Sequence, residues 1–160
     1  FDNLVVSRTM SKALGIAGLR VGYLASNAEN IQNIDKVRAT HEITSISAKF
    51  AEHLIDHKEI SQKTVSSIQK GKRLLRNLME EIGVQTFDSH TNFLFVMLPG
   101  DFDAEVVVQK LKEKNIFIKG PFNEVPIKRM IRVTLGPPEQ MRSFFEVFNT
   151  VLMNLPNYSS

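Results

Sequence analysis

Residues 7–23 read Ser-Arg-Thr-Met-Ser-Lys-Ala-Leu-Gly-Ile-Ala-Gly-Leu-Arg-Val-Gly-Tyr. Thr9 and Ser11 bring two hydroxyl donors. Arg20 brings a planar, permanently charged fork whose geometry suits a phosphate. Lys12 follows directly on Ser11, and a lysine amine beside another cation can serve as an imine-forming nucleophile. A phosphate anchor and an amine nucleophile within one short stretch suit a small molecule that carries both a phosphate and an aldehyde. The segment is not a phosphate-cradling P-loop, because its Gly-x-x-Gly (Gly15, Gly18) lacks the following Lys-Ser/Thr.

Two apolar runs must position these groups. Leu4-Val5-Val6 leads into the segment and residues 21–25 leave it. Short apolar runs bounded by glycine and polar punctuation read as buried strands. The segment between them is then a loop or short helical turn at a strand end, where α/β proteins tend to keep their ligands. Ser26 or Asn27 caps a helix through Ile31, Ile34 and Val37. Residues 41–47 interrupt the helical pattern. Thr44 or Ser45 then caps a second helix with Ile46, Phe50, Ala51 and Leu54 on one stripe. A long helix is expected over 59–82, through Ile60, Val65, Ile68, Leu75, Leu78, Met79 and Ile82, with Gly83 closing it.

Beyond Gly83 strands and helices alternate. Strands are expected at 84–87, 93–98, 116–120 and 130–135, and residues 121–129 form a loop. One helix is capped by Asp103 and carries Val107 and Leu111. A last helix starts near Pro138 and buries Met141, Phe144, Phe145, Phe148, Val151 and Leu152. This half is an α+β unit with helices on one face of a small sheet.

A phosphate anchor plus an amine is what pyridoxal phosphate requires, since the anchor holds the ring while the amine bonds its aldehyde. The 7–23 segment resembles the cofactor-lysine segment of fold-type I pyridoxal-phosphate-dependent aminotransferases, and within them the histidinol-phosphate aminotransferase group. The resemblance implies that Lys12 is the Schiff-base lysine and that Thr9, Ser11 and Arg20 bind the phosphate of pyridoxal 5'-phosphate. It also extends to Met130-Ile-Arg-Val-Thr-Leu-Gly, where the family's arginine binds the substrate α-carboxylate, a role that falls to Arg132. Asn92, in Ser89-His-Thr-Asn-Phe-Leu-Phe, is similar to the asparagine near that arginine; it either supports the carboxylate site or only caps the turn before its strand.

The expected class is therefore α/β, the C-terminal part of a pyridoxal-phosphate-dependent transferase fold. Residues 1–58 would be the end of the large domain, and 59–160 the long interdomain helix and small α+β domain. In the resembled family the phosphate loop, the ring-stacking aromatic and the acidic partner of the pyridine nitrogen precede the lysine, so the chain reads as a C-terminal portion inactive alone. The whole enzyme would be a homodimeric, cytoplasmic aminotransferase acting on small-molecule substrates: an amino acid or amino-phosphate and a 2-oxo acid. A decarboxylase of the same fold, or a non-catalytic folded fragment, remains an alternative.

Arg38 reaches an anionic substrate group or is a solvated helix residue. His41 reads as a helix-end residue and His90 as a turn residue. No metal site is read, since no second ligand lies at i+4 from His41. The chain has 160 residues, 42% of them apolar, a net charge of +3 and no cysteine. The length suffices for a packed core. The lack of cysteine excludes disulfides and thiolate metal sites and fits a reducing compartment. The cluster Lys70, Lys72 and Arg73 reads as a wet helix face rather than a nucleic-acid patch. Neither a secretory leader nor an apolar run long enough to span a membrane is expected.

Overall fold

The computed structural model describes residues 1–40 and 42–156, so the reading of His41 falls outside the described residues. The chain forms two compact units, 1–65 and 66–160.

In the first unit, β1 (Val6–Thr9) pairs antiparallel with β2 (Gly22–Ala25), with Thr9 opposite Gly22. Both strands start later than the apolar runs suggest, and all eight of their residues are exposed rather than buried. The pair forms a two-stranded sheet, and the buried cluster of this unit is built from Met10, Val21 and Ala51 beside the strands rather than from the strands themselves. Helix α1 (Ala28–Asp35) is capped by the Asn27 side chain, which accepts from the Asn30 N–H at 2.8 Å. It stops before Val37, which is exposed. Helix α2 (Ser45–Asp56) is capped by Thr44. Its buried stripe is Ser47, Ala51 and Leu54, spaced i, i+4 and i+7. The expected Ile46 and Phe50 instead face outward, at 76% and 47% exposure.

Helix α3 (Lys58–Glu81) contains the boundary between the units, at Val65/Ser66. Gly83 takes φ +70°. The Val84 N–H reaches the Met79 carbonyl at 2.8 Å and the Gly83 N–H reaches Glu80 at 2.9 Å. That is the Schellman termination, which favours a residue without Cβ. Ile60 and Val65 are exposed, whereas Leu75 and Met79 are fully buried.

The second unit holds a three-stranded antiparallel sheet in the order β3 (Thr86–Phe87), β4 (Phe93–Met97), β5 (Met130–Thr134). Leu94, Val96, Ile131 and Val133 face a core shared with α3, α4 (Ala104–Glu113) and α5 (Pro138–Met153). Asp103 caps α4, accepting from the Glu105 N–H at 2.8 Å. Residues 116–120 do not form the expected strand. They contribute one isolated bridge, Lys119 to Arg132, because Asn115 turns the chain at φ 61° and Pro121 offers no N–H to extend the ladder. Within α5, Met141, Phe144, Phe148, Val151 and Leu152 are buried and Phe145 is partly buried.

The basic cluster on α3 is not uniformly wet. Lys70 and Arg73 are exposed, but Gly71 and Lys72 are buried. A Cβ at Gly71 would run into the Gly136 carbonyl, so glycine lets α3 approach the start of α5 closely. No helix among the described residues is long and apolar enough to cross a membrane.

Candidate functional site

The order of residue types in the 10–21 loop decides which side chains are displayed. Met10, Val21 and Ala51 form a small buried cluster against which Leu14, Ile16 and Leu19 pack. Burying those apolar residues leaves the hydroxyls, Lys12 and Arg20 outside the cluster. The Met10 N–H donates to the Val21 carbonyl at 3.1 Å, closing the base of the loop. The Gly15 N–H donates to Lys12 O at 3.1 Å, so Lys12 begins a tight turn.

Gly22 sets the spacing of the two strands. A Cβ there would lie 2.6 Å from Arg8 O and 3.6 Å from Thr9 Cα, so any larger residue pushes β1 away where Thr9 sits. The Thr9 hydroxyl donates to Ser11 Oγ at 2.9 Å and accepts from the Ser11 N–H at 3.1 Å. Arg20 caps a short 3-10 turn, Ala17–Leu19, in the left-handed region at φ 54°, an uncommon conformation for a residue with a side chain. One of its guanidinium nitrogens donates to Ala17 O at 3.3 Å.

Thr9, Ser11 and Arg20 line one cleft of about 570 Å³, together with Arg8, Tyr23, Ile31 and Ile34. Lys12 does not line it; it is exposed, one residue beyond Ser11. Among the described residues no hydrogen bond or ion pair occupies its amine. The donor set fits a phosphate: two hydroxyls beside a guanidinium with free N–H groups, in a cleft that stays open to a ligand.

Arg38 also lines this cleft, but both sides of its fork are taken. It meets Asp35 at 2.8 Å and Glu42 at 2.8 Å, and these carboxylates, Glu42 first, raise its pKa above the ordinary arginine value. Of its two sequence readings, the anion contact has no free donor face here. Arg8 is the cleft residue that sequence reasoning missed. Its position beside Thr9 was visible, but strand alternation alone did not mark it.

In the second unit Arg132 sits on β5 opposite Phe95. It belongs to the sheet face turned from the core, half-buried, with its guanidinium carbon 4.9 Å from the centre of the Phe93 ring. Phe93 and Phe122 each meet Phe95, at 5.7 and 5.6 Å between ring centres. No hydrogen bond or ion pair to the Arg132 guanidinium occurs among the described residues. A half-buried fork held over a ring and left without an acceptor is equipped to receive a carboxylate. The Asn92 backbone carbonyl accepts from the Leu135 N–H at 2.8 Å, tying Asn92 to the residue that follows the strand of Arg132. His90 is exposed in the 88–92 loop. Thus Thr9, Ser11, Lys12 and Arg20 gather in the first unit, and Asn92 and Arg132 in the second.

A lysine displayed from a loop between paired strands, beside a phosphate-type donor set and followed by a small α+β unit, defines a class of cofactor-binding transferase. The chain belongs to the class I and II aminotransferase family, whose model matches residues 2–148. It is 31% identical over 158 residues to histidinol-phosphate aminotransferase 1 of Ralstonia nicotianae, a match covering 98% of this chain and 41% of that protein. The crystal structure of histidinol-phosphate aminotransferase from Sinorhizobium meliloti in complex with pyridoxal-5'-phosphate superposes with a TM-score of 0.74 at 29% identity. That match covers 94% of this chain and 42% of that one. The histidinol-phosphate aminotransferase structure from Clostridium acetobutylicum gives a TM-score of 0.87 over 97% of this chain and 47% of its own; at 20% identity it speaks to the fold alone. The chain thus spans about two fifths of the length of the curated relatives it matches.

Proposed function

We propose that this chain carries the lysine segment and small domain of a pyridoxal-phosphate-dependent aminotransferase of the histidinol-phosphate aminotransferase type. It would transfer an amino group between an amino acid or amino-phosphate and a 2-oxo acid. One observation carries the reading: Thr9, Ser11 and Arg20 line one cleft, and an exposed, unpaired lysine directly follows Ser11. When bound, pyridoxal phosphate supplies an aldehyde for the amine and a ring that takes up an electron pair from the substrate's Cα.

The chain's own groups do the rest. The Thr9 hydroxyl turns from Ser11 Oγ, so that the Thr9 and Ser11 hydroxyls and the Arg20 fork donate to the phosphate oxygens, each charge-assisted bond contributing about 1.5–3 kcal/mol. Lys12 Nζ moves a proton as general base and then acid once a substrate amine has displaced it. Arg132 takes the substrate carboxylate bidentately, with Asn92 in support, and so orients the Cα bond that must break. Residues 1–58 stand for the end of the large domain and 59–160 for the small one. The whole enzyme would work as a homodimer in the cytoplasm.

Borohydride reduction of the full-length enzyme with its cofactor, followed by peptide mapping, should tag Lys12. Lys12→Ala should abolish turnover while the protein still folds. A tag on another lysine, or normal turnover by that variant, would overturn the assignment.

A further inference from the structure

Lys72 is a lysine whose surroundings the proposed chemistry does not use. Its side chain, on α3, is 11% exposed. Its ammonium pairs with the Asp88 carboxylate and donates to Ser89 O at 2.6 Å. Asp88 is itself 61% exposed and also lies 3.5 Å from an Arg76 guanidinium nitrogen. The 88–92 loop that begins here is internally tied. Ser89 and Thr91 share a hydroxyl–hydroxyl bond of 2.7 Å, and the Thr91 N–H donates to Ser89 Oγ at 3.1 Å. At its far end the Asn92 backbone carbonyl accepts from the N–H of Leu135, the residue after β5 and three residues from Arg132.

A buried ammonium is costly to desolvate, and its pair with an exposed carboxylate is screened by water. A methionine in the same slot would pack without that cost. Holding α3 against β3 and β4 therefore does not call for a lysine. What a lysine adds is direction, because its donors fix two consecutive loop residues, Asp88 and Ser89, at once.

We propose that Lys72 is a positioning residue: its ammonium anchors the 88–92 loop to α3 and so sets the place of Asn92 beside the strand that carries Arg132. The inference rests on the reading of Arg132 and Asn92 as the substrate-carboxylate subsite. Releasing the anchor loosens Asn92 and weakens carboxylate binding while leaving the lysine segment in the other unit untouched.

The test uses the full-length enzyme with Lys72→Met, Lys72→Arg, Asp88→Asn and Arg132→Lys. Lys72→Met should raise the KM for an α-amino acid about tenfold, the weakening expected when one charge-assisted bond to the carboxylate is lost. kcat and cofactor affinity should hold, and hydrogen exchange should quicken at the Ser89, Thr91 and Leu135 amides but not in α4 or α5. Lys72→Arg should restore part of the KM. If Lys72→Met does not fold, Asp88→Asn, at an exposed position, carries the same expectations at smaller size. Should Arg132→Lys raise KM while the Lys72 and Asp88 variants leave it unchanged, the anchor is refuted and the subsite stands. Should Arg132→Lys also leave KM unchanged, the subsite reading falls and the anchor with it.

Discussion

Replacing Arg132 tests the substrate half of the proposed site most directly. Its guanidinium lies over Phe93 and holds no acceptor among the described residues, so the fork is free to take both oxygens of a carboxylate. Charge-assisted bonds contribute about 1.5–3 kcal/mol each. Arg132→Lys keeps the charge but not the planar fork, losing one bond of the pair. A loss of about 2 kcal/mol corresponds to a fall of about 30-fold in kcat/KM. Arg132→Met loses both bonds, about 3–6 kcal/mol, and should fall by about 10² to 10⁴-fold. The assay is steady-state transamination by the full-length enzyme with an α-amino acid and with the corresponding amine that lacks the carboxylate. The carboxylate substrate should suffer the full loss and the amine almost none. Equal losses on both substrates would refute carboxylate recognition and leave Arg132 a structural residue of β5.

Gly22→Ala places a methyl against Arg8 O, in the strand opposite Thr9. Relief of such overpacking costs about 1–3 kcal/mol. Cofactor retention by the full-length enzyme should weaken about tenfold, and an unchanged cofactor dissociation constant would count against the role of the Thr9–Gly22 spacing. The Asp88 carboxyl is held below its ordinary value by the Lys72 bond first, then by the Ser89 N–H. A depressed carboxyl contributes stability above its unfolded value, near 3.9, and loses it as pH falls through the folded value. The stability gap between wild type and Asp88→Asn in urea unfolding should therefore be largest above about pH 4 and close on further acidification. A gap that widens in acid would contradict the pairing.

The second unit was largely legible in the sequence because its signals are local and agree with one another. Asp103 caps a helix whose Val107 and Leu111 are buried, Pro138 starts another, and β4 alternates cleanly between half-buried and buried residues. Where reading failed, a backbone or partner effect invisible to periodicity decided the outcome. Ile116 to Lys119 has strand composition, yet Asn115 and Pro121 leave it one bridge to β5. Ile46 and Phe50 look like a core stripe, but the small residues Ser47 and Ala51 face inward. Lys72 read as solvated, since hydropathy says nothing about a carboxylate sixteen residues on in the fold. In the candidate site Thr9, Ser11 and Arg20 could be grouped from the sequence because they lie within one stretch, and the structure places them in one cleft. Arg38 kept two readings until its ion pairs were seen, as the fate of a guanidinium depends on which carboxylates fold beside it.

The two units should also differ in how firmly they hold their backbones. The first buries little beyond Met10, Val21, Ala51 and Leu54, and its sheet has two strands, an arrangement that is marginal in water. Among the described residues the second encloses eighteen buried apolar residues between three strands and three helices. Local opening free energy follows buried apolar contact. In hydrogen exchange on this 160-residue chain, amides of Val6–Thr9 and Gly22–Ala25 should therefore exchange well before those of Phe93–Met97 and Met130–Thr134. Binding of pyridoxal phosphate by Thr9, Ser11 and Arg20 would slow the first group alone, because a ligand stabilises only the state that holds it. Equal protection of the two sheets without cofactor would show that the first unit draws stability from contacts other than its own small core.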